Sequence, residues 1–483
     1  MRSAALPLVL VAALTALAFG SGTRPATHRP PLVLLSIDGL RPDYVLDAQR
    51  YGLALPELRR LLREGSFASG VVGVLPTVTY PSHTTLVTGV WPARHGIVAN
   101  GPFDPEGRNQ DGWYWYAEDI RVPTLWDVAA RQGMVTANVA WPVTVGAHIT
   151  HNIPQYWRYR PDDAKLERAL STPGLLGEVE QALGPFPAGD AGELADDRRR
   201  SEACAYLIAT RRPQLSLCYL TALDADQHVY GPGSKEAFAT LEAQDTLVGQ
   251  VRAAAERATG GPVTLAVVSD HGFFRTEREL HLNAALRQAG LISLDAHGAL
   301  ASWKAFAWSS GGSAAVYLHD PRDAASRQRV AAVLHTLAAD PADGIESVLD
   351  ERQARARGGF PEAAFVVAAR PDCHLGSRFE LPVLRLASGG GSHGMLSDHR
   401  EMDAAFFIAG PDVPVARDLG RIDMRDIAPT LAALLQLSLA TADGHDLFRG
   451  GPGRGSALRL RPRATASATP DGTAASDRTG CAS

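Results

Sequence analysis

Val263-Thr264-Leu265-Ala266-Val267-Val268-Ser269-Asp270-His271-Gly272 is the stretch that decides the fold. Its short run of apolar, largely β-branched residues reads as a strand buried on both faces, the pattern of a parallel sheet. The run ends in two adjacent polar side chains, and two such neighbours cannot both be ordinary core. Leu32 to Ile37 repeats the design and runs into Asp38-Gly39, while Leu215 to Leu223 runs into Asp224. Groups that must converge in space are collected in this way at the carboxyl ends of parallel strands.

Outward from these runs, Val71 to Leu75, Val135 to Val139 and Ala404 to Ala409 are strand-like. Leu58 to Leu62, Leu125 to Arg131 and Ser234 to Thr259 carry helical patterns, the last with Ala, Leu and Val on one face. Alternating strands and helices predict an α/β fold, a mostly parallel sheet flanked by helices. From about Phe273 to Gly390 the texture changes. Helical stretches such as Val330 to Leu337 alternate with Gly-Pro-Asp breaks, and no ligand-like doublet occurs. The expected organisation is a core over 30–272 and 391–449 with a cap inserted over 273–390; the alternative is one continuous sheet with long connections. Beyond Gly450 the Arg, Ala, Ser, Thr, Gly and Pro composition predicts a disordered tail over 451–483.

With 483 residues and 45% apolar content, the chain can bury a large core. A net charge of -5 without a basic stripe argues against duplex nucleic acid as a partner, but leaves small phosphate esters open. Arg2, the apolar stretch Ala4 to Phe19, and the small-x-small sites Ala16-Leu17-Ala18 and Ala18-Phe19-Gly20 predict a signal peptide over 1–20. Export to the periplasm or the extracellular space follows, with no membrane span after cleavage. A retained anchor is the alternative, although Pro7 interrupts the run and its length is short for a span. Cys204, Cys218, Cys373 and Cys481 allow three full pairings. Cys218, inside a strand-like run, reads as a buried unpaired thiol.

The candidate ligands Asp38, Asp224, His228, Asp270, His271 and His393 fall in three widely separated clusters. Asp224 and His228 are one helical turn apart, a weak signal alone. His393 sits between glycines in Gly389-Gly390-Gly391-Ser392-His393-Gly394, which suits close backbone approach. Three aspartates and three neutral imidazoles leave two Zn²⁺ ions with one positive charge in excess, which a coordinated alkoxide cancels. The segment Leu75-Pro76-Thr77-Val78-Thr79-Tyr80-Pro81-Ser82-His83-Thr84-Thr85 offers several hydroxyls, and spacing does not choose among Thr77, Thr79, Ser82, Thr84 and Thr85.

Taken together, these motifs resemble the alkaline phosphatase superfamily and, within it, the type I phosphodiesterase/nucleotide pyrophosphatase family. Pro76 to Pro81 resembles the family's Pro-Thr-x-Thr-aromatic-Pro, and His95-Gly96-Ile97-Val98-Ala99-Asn100 its His-Gly-Ile-x-x-Asn. Asp224 to Pro232, Asp270-His271-Gly272, His393-Gly394 and Asp426 to Thr430 follow in the family's order. The resemblance implies an alkaline-phosphatase-like fold and two Zn²⁺ ions. One is held by Asp38, Thr79, Asp270 and His271, the other by Asp224, His228 and His393. It further implies Thr79 as nucleophile, with a phospho-threonine intermediate, and Asn100 as donor to a phosphoryl oxygen. Tyr80 is expected to stack on a nucleobase, with Tyr156, Trp157 or Tyr159 as the opposing face. Ser82 stands where the family has Asn, and Trp141-Pro142-Val143 where it has Trp-Pro-Gly, departures on the substrate side.

The function so implied is hydrolysis of phosphodiester or pyrophosphate bonds in small, nucleotide-like esters. A phosphomonoesterase or phosphonate hydrolase on the same ions is an alternative, but its extra phosphoryl charge calls for Lys or Arg. The only lysines are Lys165, Lys235 and Lys304, and only Lys235 lies near a motif. Lysophospholipid or choline-phosphate diesters are a further substrate class. A scaffolding protein on a retired hydrolase fold would have lost a ligand or the nucleophile; this chain has all of them.

Overall fold

A computed structural model describes residues 30–449 apart from 110–111, 159, 188–192 and 388. The expected signal peptide, the expected tail, Tyr159 and Cys481 lie outside the described residues. Among the described residues, no helix is long and apolar enough to cross a membrane.

An eight-stranded sheet forms the centre. In chain order its strands are β1 (Leu32–Ile37), β2 (Ser66–Phe67), β3 (Thr136–Val139), β4 (His151–Ile153), β5 (Leu215–Leu220), β6 (Thr264–Val268), β7 (Phe406–Ala409) and β8 (Arg417–Asp418). Their spatial order is β8-β2-β7-β6-β1-β5-β3-β4. β1 pairs in parallel with β5 and with β6, and β7 alone runs antiparallel to its neighbours β6 and β2. The register sets Ile37 beside Leu220 and Ser36 beside Val268, so the three strands end level. Whatever follows each of them must emerge at the same edge.

Alternate residues of these strands enter opposite cores, as the two-residue period of a strand requires. Val33, Leu35, Ile37, Leu265 and Val267 join one core, and Leu32, Leu34, Leu217, Ala266 and Val268 the other. Helices α2 (Leu194–Arg211) and α4 (Lys235–Thr259) cover the first face; α1 (Thr79–Thr88) and the helix Ile427–Leu434 contribute to the second. The expected helix from Ser234 to Thr259 is α4, whose N-cap Ser234 accepts from the Ala237 N–H and whose end is closed by Gly260 at φ 67°. The strand expected over Leu215 to Leu223 stops at Leu220, because the chain turns at Thr221 into helix α3 (Ala222–Tyr230). Val71 to Leu75 is strand only over Gly70–Val72, paired with Arg421–Asp423 outside the central sheet.

Residues 305–369 build a separate four-stranded antiparallel sheet, in the order Ala305–Ser310, Ser313–Leu318, Phe365–Ala369, Ile345–Asp350. Its own core includes Phe306, Val316, Val330 and Val367. Its hairpin at Ser310 to Ser313 reaches back to the central sheet's edge, where the Gly312 N–H donates to the His393 carbonyl at 2.7 Å.

The reading of Cys218 as an unpaired thiol is corrected: it is disulfide-bonded to Cys204, joining β5 to α2 with Cα atoms 6.4 Å apart. A strand pattern marks burial, but the partner sits on a helix whose docking the sequence does not display. Cys373 is buried and forms no disulfide among the described residues. Replacing both bridged cysteines with Ala should lower the unfolding free energy by about 3 kcal/mol, the loop-closure scale for a loop of about 15 residues, read by urea denaturation. A loss below about 1 kcal/mol would show that helix packing alone holds α2 to β5.

Candidate active site

Three strand ends supply the site. Asp38 follows β1 by one residue, with its N–H bonded to the Leu220 carbonyl at 2.9 Å. Asp270 and His271 follow β6, and Asp224 and His228 lie on α3, in its first turn and one turn later. His393 comes from the loop after the short strand Gly391–Ser392. Ligand atoms of Asp38, Asp270 and His271 lie within 4.8 Å of one another, as do those of Asp224, His271 and His393. His271 Nε2 is 3.4 Å from Asp38 Oδ1 and 3.2 Å from Asp270 Oδ2. Asp224 approaches His228 Nε2 at 3.4 Å and His393 Nε2 at 3.7 Å. The His271 and His393 rings stack with centroids 3.6 Å apart.

Backbone carbonyls decide which imidazole nitrogen faces the centre. Nδ1 of His228 lies 3.0 Å from the Gly391 carbonyl, Nδ1 of His393 3.2 Å from that of Thr77, and Nδ1 of His271 3.2 Å from that of Gly272. A carbonyl only accepts, so each Nδ1 carries the proton and each Nε2 keeps a lone pair directed inward. Asp38 Oδ1, Asp270 Oδ2 and His271 Nε2 are buried and have no hydrogen-bond partner among the described residues. Their remaining oxygens are bonded: the Tyr219 hydroxyl donates to Asp38, and the Gly39 N–H donates to Asp270 Oδ1 at 3.2 Å. Inward-facing carboxylates and imidazoles, each held from behind, make the donor set of a divalent cation with oxygen and nitrogen ligands.

Electrostatics leads to the same place. Burial holds the Asp38 carboxyl well above the usual carboxylate range, and the charges of Asp270 and Asp224 push it further. Burial also raises Asp270. It pushes His271 well below the ordinary imidazole range, and His393 down to about 3, with His228 adding to the second shift. A cation among these groups reverses the balance by favouring charged carboxylates and neutral imidazoles together.

Thr79 is the first residue of α1, whose N-terminal N–H groups favour negative charge. Its carbonyl accepts from Nδ1 of His83 at 2.9 Å, leaving Nε2 of that ring to accept from the Ser36 hydroxyl at 2.8 Å. His83 also lies 3.6 Å from Asp270 Oδ2, so the start of α1 is tied to β1 and to Asp270. Asn100 Oδ1 accepts from the Tyr80 N–H at 2.9 Å, which leaves its NH₂ as the donating end. Thr79 and Asn100 are thereby joined to one another through Tyr80. Of the other hydroxyls, Thr77 donates to the Met395 carbonyl at 2.6 Å and Thr84 to that of Tyr80 at 2.8 Å.

A cleft of about 430 Å³ opens beside these groups, lined by Val78, Asn100, His228 and His393 and walled by Trp113 and Trp308. Tyr80, expected to offer its ring to a base, is fully buried instead: its hydroxyl donates to Gln155 at 2.9 Å and its ring packs edge-on against Trp113 at 5.1 Å. The helix that presents Thr79 turns the next side chain inward, so Trp113 is the aromatic surface at the wall. Tyr156 and Trp157 are also buried. Sequence reasoning missed Trp113, Trp308, Asp104, His83 and Tyr219. Only Tyr219 carried a signal, a phenol in an aliphatic strand whose hydroxyl must find a partner.

The profile described as type I phosphodiesterase/nucleotide pyrophosphatase matches residues 32–395. The chain belongs to this family. Human ectonucleotide pyrophosphatase/phosphodiesterase family member 1 is 26% identical over 254 residues, 50% of this chain and 23% of that protein. The venom phosphodiesterase of Naja atra is 25% identical over 253 residues, 50% of this chain and 26% of the venom protein. The chain thus spans about a quarter of the length of these curated relatives. Among solved structures, murine ectonucleotide pyrophosphatase/phosphodiesterase 5, as an inactive threonine-to-alanine variant in complex with AMP, superposes with TM-score 0.61 at 21% identity. The match covers 86% of this chain and 96% of that one; the human protein gives TM-score 0.60 at 20% identity with the same coverage. The family fold and the mixed, largely parallel sheet flanked by helices are the same architecture.

Carboxyls raised by burial stabilise the metal-stripped protein only where they are protonated. That contribution is complete below their unfolded value near 4 and is lost as pH rises through the elevated folded values of Asp38 and Asp270. Zinc should therefore raise the thermal midpoint of stripped protein more at pH 7 than at pH 5; at a hundredfold excess over Kd, one occupied site adds about 2.7 kcal/mol to the unfolding free energy. Asp38→Asn should stabilise the stripped form and blunt the response to zinc. A midpoint indifferent to zinc at pH 7 would contradict the reading of these groups as a metal centre.

Proposed function

We propose that this chain is an exported two-zinc phosphodiesterase/nucleotide pyrophosphatase that hydrolyses phosphodiester or pyrophosphate bonds through a phospho-threonine. The observation that carries it is the pair of adjoining Asp/His groups, which meet at His271 and lie against the backbone of Thr77 to Thr79. Asp38, Thr79, Asp270 and His271 would hold one ion, and Asp224, His228 and His393 the other. Zinc, when bound, lowers the pKa of a coordinated hydroxyl and neutralises charge on phosphoryl oxygens.

Thr79, ionised and placed at the N-terminus of α1, attacks phosphorus in line with the leaving oxygen. The Asn100 NH₂, aimed by the bond from the Tyr80 N–H to its carbonyl oxygen, donates to a non-bridging oxygen as charge builds there. The phosphoryl group passes to the Thr79 oxygen as the leaving alcohol or phosphate departs. Water then displaces Thr79 and regenerates its hydroxyl. Among the described residues lining the cleft there is no Lys or Arg, and Asp104 is present. That lining favours the single negative charge of a diester over the double charge of a monoester. Trp113 and Trp308 offer flat apolar walls for a leaving group such as a nucleoside. Tyr80 serves the substrate indirectly, through the backbone N–H that orients Asn100, and Tyr159 is proposed as a further substrate contact.

We assign 30–272 and 391–449 to the catalytic core and 273–390 to a cap, a reading supported by the placement of Trp308 and Ser309 in the cleft wall. Export to the periplasm or extracellular space is supported by the Cys204–Cys218 bridge and by the venom relative. The AMP complex of the murine relative supports a nucleotide-like ligand.

Thr79→Ala should lower kcat on bis-p-nitrophenyl phosphate by at least about a thousandfold while bound zinc is retained. Undiminished turnover would remove Thr79 from its role. Native enzyme should prefer bis-p-nitrophenyl phosphate to p-nitrophenyl phosphate in kcat/KM, and the reverse preference would make it a monoesterase.

A further inference from the structure

Helix α3, which carries Asp224 and His228, starts without a cap of its own: the Thr221 side chain makes no capping bond. Its first amides are satisfied from another element. Asp197, fully buried on α2, accepts from the Thr221 N–H at 2.9 Å through Oδ1 and from the Ala222 N–H at 3.0 Å through Oδ2. The Gln244 side chain on α4 donates to the same Oδ2 at 2.8 Å. Arg200, one turn along α2, donates to the Thr221 hydroxyl at 2.8 Å and lies 3.5 Å from Asp197 Oδ1. None of these side chains lines the cleft.

A carboxylate removed wholly from water costs several kcal/mol unless its oxygens are bonded. Here three N–H donors supply those bonds and the Arg200 guanidinium adds its charge at 3.5 Å; two of the donors open a helix, where negative charge is favoured. Threonine is itself a residue type that can cap, yet the Thr221 hydroxyl accepts from Arg200 and makes no capping bond. The remote cap does something a local one does not: it fastens the start of α3 to α2 and α4, and not merely to its own strand. Two turns along α2, Cys204 is bridged to Cys218 on β5. Seven helical residues advance about 10.5 Å and three strand residues about 10 Å, so the bridge and the carboxylate grip the antiparallel helix and strand at matching points.

We infer that Asp197 is a positioning residue for the half-site formed by Asp224, His228 and His393. It fixes where α3 begins and which way it runs. Asp224, the third residue of α3, and His228, one turn further, inherit that placement, and the 3.7 Å approach of Asp224 to His393 depends on it. The inference rests on the two-zinc reading above.

The test is zinc titration of chelator-stripped protein against a competing chromophoric chelator, for wild type, Asp197→Asn and Gln244→Met. Asn offers one acceptor and turns an NH₂ toward amide donors, so Asp197→Asn should keep one tightly bound zinc. The other should weaken roughly ten- to hundredfold, the scale of lost outer-shell support. Adding Asp38→Asn to that variant should weaken the ion it retains, identifying it with the Asp38 group. Gln244→Met should shift the same ion in the same direction by less. If wild type binds two ions and both variants bind them with unchanged affinity, the inference fails and the two-zinc reading stands. Parallel weakening of both ions also overturns it, since Asp197 would then support the core at large, and a wild type that binds no zinc overturns both.

Discussion

Repulsion among buried carboxylates is the constraint on which this structure depends. Asp38 and Asp270 have almost no exposed surface, Asp224 stands close by, and the parallel register of β1, β5 and β6 gives them one shared edge. Negative groups at this spacing in a medium of low polarity oppose one another by several kcal/mol, and the ion-pair partners that Asp38 and Asp270 have among the described residues are imidazoles. A cation bound among them would supply the balancing positive charge. A hydrolase of phosphate esters has use for that arrangement, since the cations that relieve the carboxylates also offset charge on the substrate.

Most of the remaining architecture serves to keep these groups aimed. Three carbonyls set three imidazole tautomers; Tyr219 and the Gly39 amide hold the outer oxygens of Asp38 and Asp270. Glycine has a specific use beside the first ligand. Gly39 has φ 67°, and a Cβ there would come within 2.9 Å of the Gln227 amide nitrogen and 3.2 Å of the Phe273 ring. The second sheet adds the Trp308 wall, and its hairpin bonds to the carbonyl of His393. The Trp308 wall and the His393 loop are therefore joined by one short hairpin.

How much of this was legible in the sequence follows from what each pattern reports. Apolar runs ending in Asp are local signals, and β1 and β6 stop where those runs stop. The run after Leu220 misled, because Ala222 and Leu223 are as apolar as the strand but belong to the first turn of α3. Tyr80 was placed by analogy at an open face, yet the side chain following the first residue of α1 points into the body of the protein. The disulfide, the Asp197 cap and the walls at Trp113 and Trp308 depend on contacts between elements far apart in the chain, which no local periodicity encodes. The hydroxyl of Thr79 was not distinguishable from its neighbours by spacing, only through the family motif.

Anomalous X-ray scattering at the zinc edge, from crystals of the zinc-loaded protein, tests the account most directly. It predicts two peaks about 4 Å apart, one bounded by Asp38, Asp270 and His271 and the other by Asp224, His228 and His393. A single peak at saturating zinc, or peaks away from these side chains, would contradict it.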